Sequence, residues 1–243
     1  MKQIDSLSNQ YIKDWTRLHQ KKERDRTGRF LAEGEHLVQE ALKAGIVEVL
    51  ITDRPEGYGF FEEILVPKKI LDKLSQNVSG AHVIAVCRIK EPQASKTDRI
   101  LILDGVQDPG NLGTLIRTAV SFGYDRIVCS KETCDLYNDK VIRSTQGALF
   151  QIPIERRELS SYVEQLKQEG ITMIATSLYN AVPLQEVEKP ERFAIILGNE
   201  GNGVRDQLIQ LADVSVRIEM NGFESLNVAV AGGIMMYEME KHA

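Results

Sequence analysis

The sequence predicts an α/β protein built of two parts, residues 1–95 and residues 96–243. Three observations predict it. In the second part, continuous apolar runs alternate with helical patterns, which is typical of a mostly parallel sheet covered by helices on both faces. Loops that contain glycine follow three of those apolar runs. Residues 90–98 are polar, contain a proline and separate two apolar runs, so they are the one credible linker between the parts.

Composition and charge exclude several classes of protein. The chain has 243 residues, of which 42% are hydrophobic and 27% charged, and its formal net charge is -5. This composition excludes a disordered chain, and no apolar run approaches the roughly 18 residues that a membrane helix needs. The N-terminus lacks the apolar stretch of a secretory signal, and three cysteines are too few for a disulfide framework. We therefore expect a soluble cytoplasmic protein. No cluster with metal-ligand spacing is visible, so we expect no metal.

The first part contains both helical and β patterns. Its length is ordinary for an accessory binding domain. The predicted helices cover residues 9–22, 35–44 and 68–75, and the predicted strands cover residues 47–52 and 82–87.

The second part repeats the order strand, loop, helix. Its predicted strands cover residues 100–103, 126–129, 171–176, 193–197 and 214–218, and its predicted helices cover residues 111–122, 159–169 and 225–241. Asn111 is a good N-cap for the first of these helices, and Gly123 is a good stop. Because ligands of such sheets bind at the carboxyl ends of the strands, we expect a site in the loops there.

Two adjacent glycines lie inside the pattern of the last helix. Gly232 and Gly233 each cost about 1 kcal/mol relative to alanine, which suggests that another backbone approaches the helix closely. The helix is also apolar on most of its surface, as a helix buried on two sides would be. A plain core helix explains the apolar pattern equally well.

Positive charge is concentrated near the N-terminus of an otherwise acidic chain. Residues 11–30 carry seven cations and three anions, a local charge of +4, so the remainder sums to -9. Tyr11 and Trp15 lie four residues apart and therefore on one face of the predicted helix. This pattern is typical either of a surface that binds nucleic acid or of a solvated helix face that Trp15 anchors to the core.

Three loops could carry chemistry, at residues 105–111, 198–203 and 220–225. The first has the glycine spacing of a P-loop, but Asn111-Leu112 stands where lysine and a hydroxyl residue are required. The second lacks the spacing of a dinucleotide-binding loop, and any one of these glycines could simply serve a turn. The loops and the helix turns after them contain asparagines, one arginine and carboxylates but no histidine or cysteine, which argues against hydrolases that use such a nucleophile and base. The remaining chemistry is transfer between bound partners by positioning.

At these loops the sequence resembles a known family. Residues 111–119, 197–204 and 218–231 resemble, in order, the three motifs of the SpoU (TrmH-like) RNA 2′-O-ribose methyltransferases of the SPOUT superfamily. Residues 9–34 are similar to the start of the family's substrate-binding domain, which resembles ribosomal protein L30e. The resemblance implies an L30e-like domain over residues 1–95 and a catalytic domain over residues 96–243. It also implies a trefoil knot near the C-terminus, S-adenosylmethionine as cofactor and a homodimer formed through the catalytic domain.

The resemblance assigns roles to individual residues. It implies that S-adenosylmethionine is held by Gly198, Ile218, Leu226, Leu197, Gly201, Met220, Thr176 and Ser177. It implies that the catalytic residues are Arg117, Asn111, Glu200, Ser225 and Asn227. The RNA-binding residues that we expect in the basic segment are Lys13, Arg17, Lys21, Lys22, Arg24 and Arg29.

Arg117 poses a chemical question within this set. The family's arginine has been proposed as the base for the ribose hydroxyl, but a guanidinium does not deprotonate in proteins. We favour an electrostatic role for Arg117, with Asn111 and Asn227 fixing its orientation. Glu200 could pair with Arg117, order its own loop, or be a surface carboxylate near a helix start. The chain has Ala229 where the family often has a serine, so any hydroxyl role at that position is absent.

The sequence therefore predicts methyl transfer from S-adenosylmethionine to a ribose 2′-hydroxyl of RNA, with ribosomal RNA favoured by the L30e-like domain. The alternatives are a tRNA ribose methyltransferase, a non-catalytic RNA-binding relative, or an α/β enzyme that binds another nucleotide.

Overall fold

Five strands and four helices lie before residue 92 in the computed structural model, which describes residues 1–77, 79–92, 98–222 and 225–240. The strands are β1 (Lys2–Gln3), β2 (Arg29–Glu33), β3 (Val47–Thr52), β4 (Glu63–Leu65) and β5 (Val83–Arg88), and the helices are α1 (Gln10–Arg17), α2 (Lys21–Thr27), α3 (Glu35–Lys43) and α4 (Lys68–Leu74). The predicted strands and the second and third predicted helices are confirmed to within a residue.

The predicted helix 9–22 is wrong as a single element. The N–H of Leu18 donates to the carbonyl of Trp15 at 3.0 Å, and the N–H of Gln20 donates to that of Arg17 at 2.9 Å, so the chain makes a tight turn between α1 and α2. Both Trp15 and Leu18 are buried in the same apolar cluster. The turn lets both side chains reach this core, which a continuous helix does not guarantee.

The described residues that follow form seven strands and five α-helices. The strands are β6 (Arg99–Leu103), β7 (Arg126–Cys129), β8 (Ile154–Arg156), β9 (Thr172–Thr176), β10 (Val182–Pro183), β11 (Phe193–Leu197) and β12 (Val214–Arg217), and the helices are α5 (Pro109–Ser121), α6 (Asp139–Thr145), α7 (Leu159–Gln168), α8 (Asp206–Leu211) and α9 (Val228–Met239). The five strands predicted in this half are confirmed to within a residue. The predicted helix 225–241 is too long at both ends, because Asn227 caps the start of α9 and Glu240 is already extended. Most of the linker lies outside the described residues.

The chain forms two compact units that differ from a single cut at residue 95. The first unit contains residues 1–91 and also residues 135–150, and the second contains residues 92–134 and 151–243. In the first unit the ring of Phe30 packs at 4.8 Å from the ring of Tyr137 and at 5.8 Å from that of Phe150. The buried guanidinium of Arg24 pairs there with Asp135. A stretch that follows the linker therefore completes the core of the first unit.

Each unit has its own sheet. The sheet of the first unit is mixed, with strand order β1-β4-β3-β5-β2 and with β5 antiparallel to both of its neighbours. The sheet of the second unit has the order β10-β12-β9-β11-β6-β7-β8, and every pairing in it is parallel. The α/β class with a mostly parallel sheet is confirmed. Strands β9, β11 and β12 lie in one neighbourhood of this sheet, so the loops after them are brought together.

Helix α5 begins two residues before the predicted start. Its N-cap is Asp108, whose carboxylate accepts the N–H of Asn111 at 2.9 Å, and Pro109 occupies the first helical position. The expectation that Asn111 is the N-cap is therefore wrong. Because Asp108 caps the helix, the side chain of Asn111 is available for other partners.

Helix α9 packs closely on the second unit's core at one of its two glycines. A Cβ at Gly232 would lie 2.4 Å from Leu115 and 2.7 Å from Leu197, whereas a Cβ at Gly233 would meet nothing within 4 Å. The close approach expected from the sequence is thus made at Gly232, by two side chains rather than by a backbone.

In the described ranges, no helix is long and apolar enough to cross a membrane. The same residues contain no group of three or more histidine, cysteine or acidic side chains that could hold a metal ion.

Candidate functional site

A cavity of about 560 Å³ lies in the second unit at the carboxyl ends of β9, β11 and β12. The residues predicted to hold a cofactor all line it: Thr176, Ser177, Leu197, Gly198, Gly201, Ile218, Met220 and Leu226. Glu200, Ser225 and Asn227, three of the predicted catalytic residues, line the same cavity. Its volume is within the range of about 300–1,000 Å³ that is typical of small-molecule sites.

The loop after β11 is folded tightly on itself. Asn199 and Gly203 exchange two backbone hydrogen bonds of 3.0 and 2.9 Å, and the side chain of Asn199 accepts the N–H groups of Gly201 and Asn202. A Cβ at Gly198 would lie 1.9 Å from the carbonyl carbon of Gly203. Only glycine fits at residue 198, because the facing atoms are backbone.

Glu200 holds the start of helix α5. Its carboxylate accepts the N–H of Gln107 at 3.1 Å, the N–H of Asp108 at 2.9 Å and the side-chain amide of Asn111 at 3.1 Å. Partial burial by itself would raise the pKa of Glu200, but these hydrogen bonds outweigh it and hold the pKa below its ordinary value. Glu200 therefore orders the loops; it neither pairs with Arg117 nor stands as an isolated surface carboxylate.

Asn111 and Asn227 connect the first loop to the third. The side-chain amide of Asn227 donates to the side-chain oxygen of Asn111 at 2.9 Å. The oxygen of Asn227 caps helix α9 by accepting the N–H groups of Ala229 and Val230. A chain of side chains from Glu200 through Asn111 to Asn227 therefore joins all three glycine-bearing loops.

Two further contacts fasten the first two loops together, and sequence reasoning missed both. The buried carboxylate of Asp104 accepts the N–H of Arg205 at 3.0 Å and its guanidinium at 2.8 Å. The side-chain amide of Asn199 donates to the carbonyl of Gly105 at 2.8 Å. The available signal was the position of Asp104, a charged residue directly after the apolar strand β6.

Arg117 and Ser225 lie on the surface of the second unit. Arg117 is exposed on α5, about one turn and a half beyond Asn111, and the described residues offer it no ion pair. It does not pair with Glu200, whose hydrogen bonds go elsewhere. Ser225 is exposed at the rim of the cavity. Glu224, another polar residue of the third loop, lies outside the described residues.

The hydroxyl groups of Thr176 and Ser177 already have partners. Thr176 donates to the carbonyl of Ile196 at 3.2 Å. Ser177 donates to the carbonyl of Tyr179 at 2.9 Å and accepts its N–H at 3.1 Å. These two residues therefore line the cavity with main-chain groups and carbon atoms more than with free hydroxyls.

In the first unit, the prediction that Arg24 binds RNA needs correction. Its side chain is buried, pairs with Asp135 and donates to the carbonyls of Leu18 at 2.7 Å and His19 at 2.9 Å. A guanidinium held in this way is not available to a phosphate. Trp15 is buried too, so it anchors α1 to the core as the alternative interpretation held.

The remaining cations of the basic segment are exposed, and several have acidic neighbours. Arg17 pairs with Asp14, Lys21 with Asp25 and Arg29 with Glu48. Lys13 and Lys22 are exposed, and no ion pair is found for either one among the described residues. These two lysines are the best placed of the predicted set to contact an external anion.

Two family models match the chain. The SpoU rRNA methylase family matches residues 98–237, which is more than half of the sequence. The chain belongs to the SpoU rRNA methylase family. A second model, the MRM3-like substrate-binding domain, matches residues 9–88. The family resemblance drawn from the three loop motifs is confirmed.

Relatives and solved structures agree with this assignment over nearly the whole chain. The chain is 44% identical over 98% of its length, and over 99% of the relative's, to the 23S rRNA (guanosine(2553)-2′-O)-methyltransferase RlmP of Bacillus subtilis. An AdoMet-bound rRNA methyltransferase from Sinorhizobium meliloti is similar at a TM-score of 0.88 and 31% identity, covering 99% of this chain and 98% of that one. The SpoU methyltransferase AviRb from Streptomyces viridochromogenes, solved with AdoMet, is similar at a TM-score of 0.85 and 25% identity, covering 95% and 97%.

The residues around the cavity fit S-adenosylmethionine, the AdoMet of these structures. The cofactor has a flat adenine with polar edges, and the glycine loop offers main-chain groups while Ile218 and Leu226 offer apolar side chains. At Gly198 any side chain would displace the backbone that shapes the cavity wall. These features suit the cofactor of the family.

Proposed function

We propose that the chain transfers a methyl group from S-adenosylmethionine to the 2′-hydroxyl of a ribose in 23S ribosomal RNA. The observation that carries the proposal is the Glu200–Asn111–Asn227 connection. It fixes the start of α5, the helix of Arg117, beside the cavity whose lining fits the cofactor. A relative that is 44% identical over almost the whole chain bears the name of a 23S rRNA guanosine 2′-O-methyltransferase, which supports the same RNA and a guanosine as target.

The reaction needs a positioned hydroxyl and stabilisation of the charge that develops on its oxygen. When bound, the cofactor supplies a methyl group on a sulfonium, so that a C–O bond forms as the C–S bond breaks, the electron pair stays on sulfur and the hydroxyl proton passes to solvent. The exposed guanidinium of Arg117 can hold the adjacent phosphate and stabilise the ribose oxygen by its charge. Orientation of bound reactants can supply about 7–11 kcal/mol of the barrier lowering.

Each loop residue has a separate task in this scheme. Glu200 holds Asn111 and the first turn of α5, and Asn227 holds Asn111 from the other side while it caps α9. Ser225, exposed at the cavity rim, is within the group of residues that would meet the target ribose. Residues 96–243 thus supply catalysis in this proposal.

We assign RNA binding to the domain of residues 1–95, where the match to a substrate-binding domain model and the exposed Lys13 and Lys22 support it. Arg17, Lys21 and Arg29 are exposed as well and could exchange their carboxylate partners for phosphates. Arg24 takes no part. A cytoplasmic location follows from the same proposal, since ribosomal RNA is modified there in bacteria.

We also propose a homodimer through the catalytic domain and a trefoil knot, as expected for the family. Val230, Ile234 and Tyr237 form an exposed apolar stripe on α9, one or two turns apart. They border a surface groove between α5 and α9 that also contains Asn111 and Thr114. A second copy of the chain would bury this stripe. Sedimentation should give twice the chain mass of 27.3 kDa, and a monomer at micromolar concentration would contradict the dimer.

The test of the function is transfer of a tritiated methyl group from S-adenosylmethionine to RNA from a strain that lacks the gene. Wild-type protein should label 23S ribosomal RNA at a ribose, found by nuclease digestion and mass spectrometry. Arg117→Ala should lose transfer but keep cofactor affinity within a few fold, because Arg117 does not line the cavity.

Each alternative gives a different result. Label in tRNA alone would move the substrate to tRNA, and RNA binding without transfer would indicate a non-catalytic relative. Full activity in Arg117→Ala would remove Arg117 from the mechanism, and loss of cofactor binding there would make it a cofactor residue.

A further inference from the structure

The loop between β9 and β10 exposes two large apolar side chains at the cavity. Leu178 is 66% exposed and Tyr179 is 81% exposed, and both belong to the cavity lining. No sequence motif contains either residue. Single exposed apolar residues are normal on protein surfaces, but here two adjacent ones lie at the edge of a small-molecule site.

This loop holds its shape through several contacts. The hydroxyl of Ser177 bonds both the N–H and the carbonyl of Tyr179, which fixes the backbone of the tyrosine. Asn180 follows at a φ of 49°, the left-handed conformation that asparagine tolerates in turns. The guanidinium of Arg217, at the end of β12, donates to the carbonyl of Ala181. The backbone at both ends of the tip is therefore fixed, and the ring of Tyr179 is presented from an ordered loop.

A third exposed apolar side chain lies at the same cavity on a different loop. Met220, three residues beyond the end of β12, is exposed and lines the cavity. Strands β9 and β12 are paired, with Thr176 opposite Val216, so the loops that follow them start side by side. Leu178, Tyr179 and Met220 therefore form an apolar rim, which we define by these three residues.

The apolar rim suits one part of the cofactor better than the others. A phenol ring offers a flat π face, and flat aromatic rings gain most by stacking on one another. Of the pieces of S-adenosylmethionine, adenine alone is flat and aromatic. The methionine carboxylate and ammonium would leave the rim's apolar surface unmatched. We propose that Tyr179 stacks on the adenine of S-adenosylmethionine and, with Leu178, covers the adenosine end from solvent. This inference rests on the proposed cofactor and adds a binding residue to it.

The test is calorimetric titration of the full chain with S-adenosylmethionine, S-adenosylhomocysteine and adenosine. Tyr179→Ala should weaken all three by the same factor, about tenfold, because the three ligands share the adenine and loss of one stacking face is of that size. Tyr179→Phe should bind within about twofold of wild type, since the ring is kept. Phe61→Ala is the matched control, because Phe61 is 84% exposed, belongs to the first unit and is not part of the cavity lining.

The outcomes separate this inference from the proposed function. If Tyr179→Ala binds the cofactor as tightly as wild type, the stacking inference is overturned and the proposed methyl transfer still stands. A rise in the KM for RNA with no change in cofactor affinity also overturns it, and makes Tyr179 an RNA contact. An equal loss in Tyr179→Phe overturns stacking in favour of a hydroxyl contact. If wild-type protein binds no S-adenosylmethionine, both the function and this inference fail. If it binds the cofactor but methylates no RNA, the calorimetric result still decides the role of Tyr179.

Discussion

Replacement of Gly198 by alanine should damage the cofactor site more than its single added methyl group suggests. The new Cβ would lie 1.9 Å from the carbonyl carbon of Gly203 and 2.0 Å from the nitrogen of Val204. Ordinary contact begins at 3.4 Å, so the facing backbone must retreat by 3.4 − 1.9 = 1.5 Å. These atoms are part of the chain and cannot rotate away as the end of a long side chain can.

The structure sets the size of the effect. Overpacking costs about 1–3 kcal/mol. A retreat of that size would also strain or break the two hydrogen bonds between Asn199 and Gly203, each worth about 0.5–1.5 kcal/mol. The sum is about 2–6 kcal/mol, and at about 2–4 °C per kcal/mol the melting temperature should fall by at least about 4 °C.

Calorimetry should detect both the lower melting temperature and an affinity for S-adenosylmethionine reduced at least about tenfold, because the displaced atoms line the cavity. Gly222→Ala is the control, because a Cβ there would meet nothing within 4 Å. A Gly198→Ala protein with the melting temperature and cofactor affinity of wild type would refute the reasoning.

Three further substitutions concern charged residues. Hydrogen bonds to Glu200 hold its pKa below the unfolded-state value of about 4.3, so its charged form stabilises the fold above that pH and the contribution is lost as pH falls through the lower folded-state pKa. Glu200→Gln should therefore melt below wild type at pH 7, with the difference closing in acid. Melting curves across pH check this, and a constant difference would contradict it. Arg24→Gln should destabilise the protein by about 3–5 kcal/mol, because it removes the ion-pair partner of Asp135. Lys22→Gln should leave the stability unchanged and should lower the slope of log K against log salt for RNA binding by about 0.7. Denaturant titration measures the stability of both variants, and RNA binding at several salt concentrations measures their salt slopes. A stable Arg24→Gln variant with a reduced salt slope would show that Arg24 contacts RNA.

Much of the second unit could be predicted from local pattern. Its long strands are continuous apolar runs, because both faces of a parallel sheet are buried, and such runs are visible without knowledge of the fold. The cavity residues were assigned by resemblance to the motifs, and they line one cavity because they follow neighbouring strands. A short element such as α8 carries too few residues to establish a period, so pattern alone missed it.

The error at Arg24 and the unforeseen partners of Glu200 involve residues that are distant in sequence. Arg24 belongs to a run of cations that look alike, and its burial depends on Asp135, 111 residues later. The role of Glu200 depends on N–H groups some 92 residues earlier, and no local pattern carries that information. At Asn111 the competing cap was local, since Asp108 and Pro109 together make a stronger helix start than asparagine does.

Residues 135–150 complete the core of the first unit but are translated later than the rest of it. The ribosome completes residues 1–91 well before it adds the stretch that supplies Asp135, Tyr137 and Phe150 to the same core. The delay is 150 − 91 = 59 residues, about 3–12 s at 5–20 residues per second. During that interval Arg24 has no carboxylate partner and Phe30 lacks its two aromatic neighbours. The core of the N-terminal unit should therefore be completed only after residue 150 has been translated, when part of the second unit has already been made.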